Sequence, residues 1–179
     1  MDDAIAEVLL IGGRSGAGKT TVGWEVAARL RAATVPHAII DGDFMGQVYP
    51  VPDDLPGLVE RNLAAVWANY AALGCERLVY VNTLSVLPSA AGMFRRALGR
   101  RVRLVPVLLT ASDATVATRL AQRELGSELT DGLAASAERN RVLTQLADVV
   151  RVATDGRSVV DIAREVVVAS GWVPDFRRL

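Results

Sequence analysis

The chain has 179 residues with twenty basic and twenty acidic side chains, so its formal net charge is zero and no broad field is present to attract nucleic acid or an anionic membrane. A hydrophobic fraction of 51% and a mean hydropathy of +0.27 exclude a disordered chain and predict one globular domain over 1–179. One cysteine, Cys75, excludes an internal disulfide; with an acidic start, Met1-Asp2-Asp3, and no apolar run near the roughly 18 residues of a membrane span, a cytoplasmic protein is expected.

In chain order, Glu7–Ile11 is a short apolar run of the kind found in a buried parallel strand. The glycine-rich stretch Gly13–Thr20 follows. Val22, Val26, Ala27 and Leu30 then recur at helical spacing, which predicts a helix over Thr21–Leu30. Thr34-Val35-Pro36 breaks it, and His37–Ile40 reads as a second strand ending in Asp41-Gly42-Asp43. Phe44–Pro56, with three prolines, reads as an ordered loop. Leu58–Tyr70 is a helix stopped near Gly74, and Arg77–Val81 is the third strand, ending in Asn82-Thr83. Pro88–Leu98 is a helix with proline near its start. Val102–Leu109 is the fourth strand, in which Pro106 predicts an irregularity. Asp113 is expected to cap a helix that Gly126 stops; Ser127–Gly132 reads as a polar break, and Ala134–Leu146 as renewed helix. Asp148–Val152 is the fifth strand, Thr154–Arg157 a turn, and Val159–Ser170 the last helix, ended by Gly171. Strands alternating with helices predict an α/β three-layer domain on a parallel sheet.

The chemistry centres on Gly13-Arg14-Ser15-Gly16-Ala17-Gly18-Lys19-Thr20, which fits G-x-x-x-x-G-K-[ST], the phosphate-binding P-loop. Strand before and helix after are the context that motif needs. Glycines let successive N–H groups of the loop point inward, and the helix N-terminus adds its positive end. Lys19 would reach the β- and γ-phosphates and the Thr20 hydroxyl would ligate Mg²⁺. Lys19 is the chain's one lysine among nineteen arginines. A compact ammonium fits among phosphate oxygens where a planar guanidinium does not. Asp41 and Asp43 would stand at the carboxyl edge of the sheet, where ligands bind in open α/β folds. One of them could take a proton from an acceptor hydroxyl and the other hold Mg²⁺ through water. His37, the lone histidine, excludes a histidine metal cluster.

These residues resemble the small P-loop kinases, a group that holds nucleoside monophosphate kinases, shikimate, gluconate and adenylyl-sulfate kinases and chloramphenicol phosphotransferase. The likeness rests on Gly13–Thr20, on Asp41-Gly42-Asp43, on the arginine helix at Arg119 and Arg123, and on Thr154–Arg157. It implies a P-loop NTPase with a five-stranded parallel sheet in the order 2-3-1-4-5, an acceptor-binding insertion at about 44–74, and a helical lid at about 119–141. It further implies that ATP binds at Gly13–Thr20 with Thr21, and that Asp155 and Arg157 lie beside the adenine. Arg119 and Arg123 would enter the lid, and Arg139 or Arg141 would lie on its returning helix. Asp43 becomes the base and Asp41 the metal-side carboxylate. Phe44, Gln47, Tyr49, Arg61, Asn62 and Trp67 are candidate pocket residues, and Asp43, Phe44, Arg61 and Asn62 form the expected acceptor set. Asn82 departs from the metal-directed aspartate that many P-loop proteins carry at that position. With only Arg61 as a cation between Phe44 and Tyr70, a neutral or weakly charged hydroxylated small molecule is the favoured acceptor. The expected activity is ATP-dependent phosphotransfer to a hydroxyl. Two alternatives stand beside it: a nucleoside monophosphate kinase reading phosphate through Arg61, Arg95 or Arg96, and a nucleotide-binding switch without transfer.

Overall fold

Short apolar segments pair as parallel strands where helices can cover both faces of one sheet. The computed structural model describes residues 5–99, 101–122 and 127–173. The strands are β1 (Ala6–Gly12), β2 (Ala38–Asp41), β3 (Arg77–Val81), β4 (Val102–Thr110) and β5 (Val150–Ala153). Their order across the sheet is β2-β3-β1-β4-β5, as the resemblance implies. β1 is central, in register with β3 (Leu9 opposite Val79) and with β4 (Leu9 opposite Val105).

The helices are α1 (Lys19–Ala32), α2 (Leu55–Ala72), α3 (Ala91–Leu98), α4 (Asp113–Ala121), α5 (Ser127–Leu143) and α6 (Val159–Ser170). Alternation along the strands divides the core in two. Leu9, Ile11, Val79, Val81, Val107 and Leu109 face one way, onto Val22, Val26 and Leu30 of α1 and Ile162, Val166 and Val167 of α6. Val8, Leu10, Leu78, Tyr80 and Leu108 face the other way, onto Leu63 and Trp67 of α2, Phe94 of α3 and Leu143 of α5. Tyr80 and Phe94 meet edge to face, ring centroids 5.0 Å apart. The result is three layers, with the carboxyl ends of all five strands on one edge. Among the described residues no helix is long and apolar enough to cross a membrane.

Several local expectations are corrected. Pro106 causes no break: β4 keeps its register with β1 through it, Pro106 lying opposite Leu10. β5 pairs with β4 only from Val107 onward, so Pro106 stands just before β4 gains its second neighbour, where a missing N–H is tolerated. Ser112, not Asp113, is the N-cap of α4; its side chain accepts from the Thr115 N–H. Ser127–Gly132 is not a break but the first turns of α5. Thr130 and Asp131 are exposed, so their polarity belongs to a solvated helix face. α2 starts earlier than its apolar pattern, at Leu55, because Asp54 accepts from the Gly57 N–H at 2.9 Å and Pro56 lies in the first turn. Gly126, expected to stop α4, lies outside the described residues.

Candidate active site

The strand ends bring the expected residues to one edge. β1 runs into the P-loop, where Gly16 and Gly18 take φ values of 83° and 93°. That left-handed turn aims loop N–H groups inward and costs glycine least. Gly18 is the residue before α1, so the loop ends on a helix N-terminus. Lys19 is nearly buried, 8% exposed, and its Nζ donates to the Arg14 carbonyl at 3.4 Å, curling over the loop.

β2 delivers the acidic pair. The Thr20 hydroxyl donates to Asp41 Oδ2 at 3.1 Å, and Asp41 Oδ1 accepts from the Asp43 N–H at 3.1 Å. Asn82, at the end of the neighbouring β3, donates to Asp43 Oδ1 at 2.7 Å and accepts from the Leu84 N–H at 3.0 Å. Gly42 has to be glycine here, since a Cβ would stand 2.3 Å from the Tyr80 hydroxyl oxygen. Burial, and then the charges of Asp43 and Asp41, push the Tyr80 phenol up to about 12, so it stays a neutral floor beneath the acidic turn.

Two cavities flank this turn. The first, about 340 Å³, is lined by the P-loop from Ser15 to Thr20 and by Asp43, Arg119, Thr154, Arg157 and Ile162. Its charged lining is three cations, Lys19, Arg119 and Arg157, against one carboxylate, Asp43. The second, about 840 Å³, lies between α2 and α3, and Gly42, Tyr80 and Asn82 line its inner end. Asp43 lines one cavity and its hydrogen-bond partner Asn82 the other, so that pair stands between them.

Arg119 spans the first cavity's rim: its guanidinium donates to the Gly16 carbonyl and the Thr154 hydroxyl, both at 3.1 Å. Arg139 on α5 reaches the Ser15 hydroxyl at 3.5 Å, whereas Arg141 turns to Glu138 on its own helix. Arg123 lies outside the described residues. Arg157 lines the cavity while pairing with Glu165 at 2.8 Å.

Other expected ligands are engaged in holding the framework. The buried Arg14 side chain turns from the loop to α4 and α5: its Nε donates to Ser136 Oγ at 2.9 Å and it pairs with Asp113. Ser136 in turn donates to the Ser15 carbonyl at 2.9 Å, so the two helices are tied to the P-loop backbone. The Asp155 carboxylate accepts from the Ser112 N–H at 3.0 Å and from the Ser112 hydroxyl at 2.8 Å. Hydrogen bonding from the Thr115 side chain and then from Ser112 holds it down to about 2. Arg61 pairs with Asp54 at 3.3 Å, Asn62 donates to the Met45 carbonyl at 2.8 Å, and Trp67 is in the core. Phe44 and Tyr49 are exposed, and Gln47 donates to the Asp43 carbonyl at 3.2 Å.

Asp155 carries a pH prediction. Its folded-state value lies below the ordinary 3.8, so its contribution to stability is complete above about pH 4 and is lost as pH falls toward 2. Asp155→Asn is expected to lower the Tm at neutral pH and to flatten the fall of Tm between pH 4 and 2. Thermal melts across that window check it; parallel wild-type and variant curves would remove the carboxylate's role.

No protein-family model and no characterised protein sequence matches the chain. Solved structures do. A gluconokinase from Sinorhizobium meliloti 1021 superposes with a TM-score of 0.60 at 21% identity, covering 93% of this chain and 91% of that one. The Mycobacterium tuberculosis APS kinase in complex with AMPPNP and APS gives 0.59 at 19% identity, over 93% and 98%. The Deinococcus radiodurans tunicamycin resistance protein gives 0.65 at 17% identity, over 93% and 96%. The sheet order, the P-loop at the end of β1 and these superpositions together show that the chain has the fold of the small P-loop kinases.

Proposed function

We propose that the protein is an ATP-dependent phosphotransferase that moves the γ-phosphoryl group to a hydroxyl of a small molecule. The observation that carries this is the placement of the Asp43–Asn82 pair between a cationic, loop-lined cavity and a second cavity open to another ligand. The neighbours' named activities, gluconokinase and APS kinase, support the reaction class.

In this reading the triphosphate lies on the P-loop N–H groups, with Lys19 against the β- and γ-phosphates. Arg119, already over the loop, and Arg139, at Ser15, face the γ-phosphoryl group from residues 119–141 acting as a lid. Asp43 accepts the proton of the attacking hydroxyl, a bond forms from that oxygen to the γ-phosphorus, and the bond to the β-bridging oxygen breaks to release ADP. Charge spread over the transferred group is met by Lys19 and the arginines with water excluded. The Thr20 hydroxyl and Asp41 carboxylate, 3.1 Å apart at the loop's end, are the hard oxygen donors that suit Mg²⁺ with few protein ligands. When bound, Mg²⁺ supplies neutralisation of the β- and γ-phosphate oxygens. Thr154 and Arg157 border the nucleotide's far side, and Asp155 serves there by fixing Ser112.

The test is ADP release from ATP and Mg²⁺ with hydroxylated acceptors added singly. Release stimulated by an acceptor, with phosphate recovered on that acceptor, supports transfer. Nucleotide binding with acceptor-independent release, unchanged across the whole panel, favours the switch instead.

A further inference from the structure

The second cavity differs from the first in charge and in lining. Leu55, Val59, Leu84, Leu87 and Met93 form its walls, with the neutral Tyr80 at its inner end. Among the described lining residues its one cation, Arg96, is gripped by Glu60: Nε donates at 2.9 and 3.1 Å and a terminal nitrogen at 2.8 Å. That fork is the bidentate geometry in which guanidinium and carboxylate satisfy each other. Asp54 also lines the cavity and takes the guanidinium of Arg61. An anionic group entering here would therefore meet two carboxylates, with the nearby cations already bound to them. Arg95 is exposed on α3 and is not among the lining residues. The volume, about 840 Å³, is in the range of roughly 300–1,000 Å³ that holds drug-sized ligands.

We infer that the acceptor is an uncharged molecule with a substantial apolar body and a hydroxyl, the body lying between α2 and α3 and the hydroxyl at the Asp43–Asn82 pair. This rests on the phosphotransferase reading for the word acceptor, and on the cavity alone for the chemistry. It separates this chain from a kinase of sugar acids, nucleoside monophosphates or sulfonucleotides, each of which brings an anion that the walls here do not receive.

Calorimetric titration of the AMPPNP-loaded protein with three probes tests it: octyl glucoside below its micellar concentration, gluconate, and AMP. Octyl glucoside is expected to bind at least about tenfold more tightly than either anion. Leu84 and Ser89 are exposed lining residues, so substitutions there leave the core intact. Leu84→Glu is expected to weaken octyl glucoside severalfold, and Ser89→Arg to strengthen gluconate, with AMPPNP affinity unchanged in both. Tighter binding of either anion by the wild type, no binding of octyl glucoside, or indifference to Leu84→Glu would overturn the inference. ADP release measured with the same probes separates the two levels. Stimulation by gluconate or AMP alone defeats the inference and keeps the kinase; the expected binding order with no stimulation by any hydroxylated probe counts against the kinase and leaves the cavity's preference standing.

Discussion

Lys19→Ala is expected to lower acceptor-dependent ADP formation by about a thousandfold or more, the scale on which loss of a charge aimed at the transferring phosphoryl group is felt. The sequence holds no other lysine to replace it. Arg119 lines the same cavity but is held by the Gly16 carbonyl and Thr154, and Arg157 is paired with Glu165. Each is a planar fork, whereas the position over the loop takes a compact ammonium. Lys19→Arg is therefore expected to rescue little, although it restores the charge. The fold should tolerate the alanine, because the loop's shape is set by glycine dihedrals and by the Arg14–Ser136–Ser15 chain and not by the lysine stem. Steady-state kinetics beside thermal melts decide the matter: a large loss of kcat with a Tm near wild type is the expected pair. Retained turnover in Lys19→Ala would remove the P-loop from the chemistry.

The P-loop was legible because all its information is local: a motif eight residues long, with an apolar run before it and a helical period after it. The sheet order came through the resemblance and not through spacing, since strand adjacency is a long-range property. Asp43 was legible as a strand-end carboxylate, but its partner was not. Asn82 read as a departure whose consequence depended on β2 and β3 being neighbours, a pairing that puts a residue 39 positions away against Asp43. Arg14 is the clearest case of a residue whose type and position pointed one way and whose side chain goes another. The loop that holds it was expected to bind the nucleotide as a whole, yet the Arg14 side chain bonds Ser136, 122 residues along the chain, and no local pattern announces that. Asp155 behaves likewise. A turn aspartate beside a nucleotide site and one that fixes the N-cap of a distant helix look the same in sequence; only the β4–β5 pairing brings Ser112 to it. Pro106 was misjudged because its tolerance depends on where β5 begins.

Asp43→Asn should cost about a hundred- to ten-thousandfold in turnover, the usual worth of a positioned general base, while nucleotide affinity stays near wild type. The asparagine keeps the size of the side chain and its backbone donation to Asp41, so the turn from Asp41 to Phe44 persists. What disappears is the oxygen that takes the hydroxyl's proton. Asn82 then distinguishes a base from a mere turn residue. Its amide holds Asp43 Oδ1 at 2.7 Å while its own oxygen is fixed by the Leu84 N–H. Asn82→Ala frees the carboxylate to rotate and is expected to lose roughly tenfold in kcat, a fraction of the Asp43→Asn effect, because orientation is lost but the base remains. Asn82→Asp does something different. It sets a second carboxylate against the first, and two like charges that close favour sharing a proton. The acidic limb of the pH–rate profile is then expected to move to higher pH, with activity regained as pH rises. A pH series on these three variants and the wild type resolves the roles. A profile that Asn82→Asp leaves in place, together with full turnover in Asp43→Asn, would return the Asp41-Gly42-Asp43 turn to a structural part and move the base elsewhere.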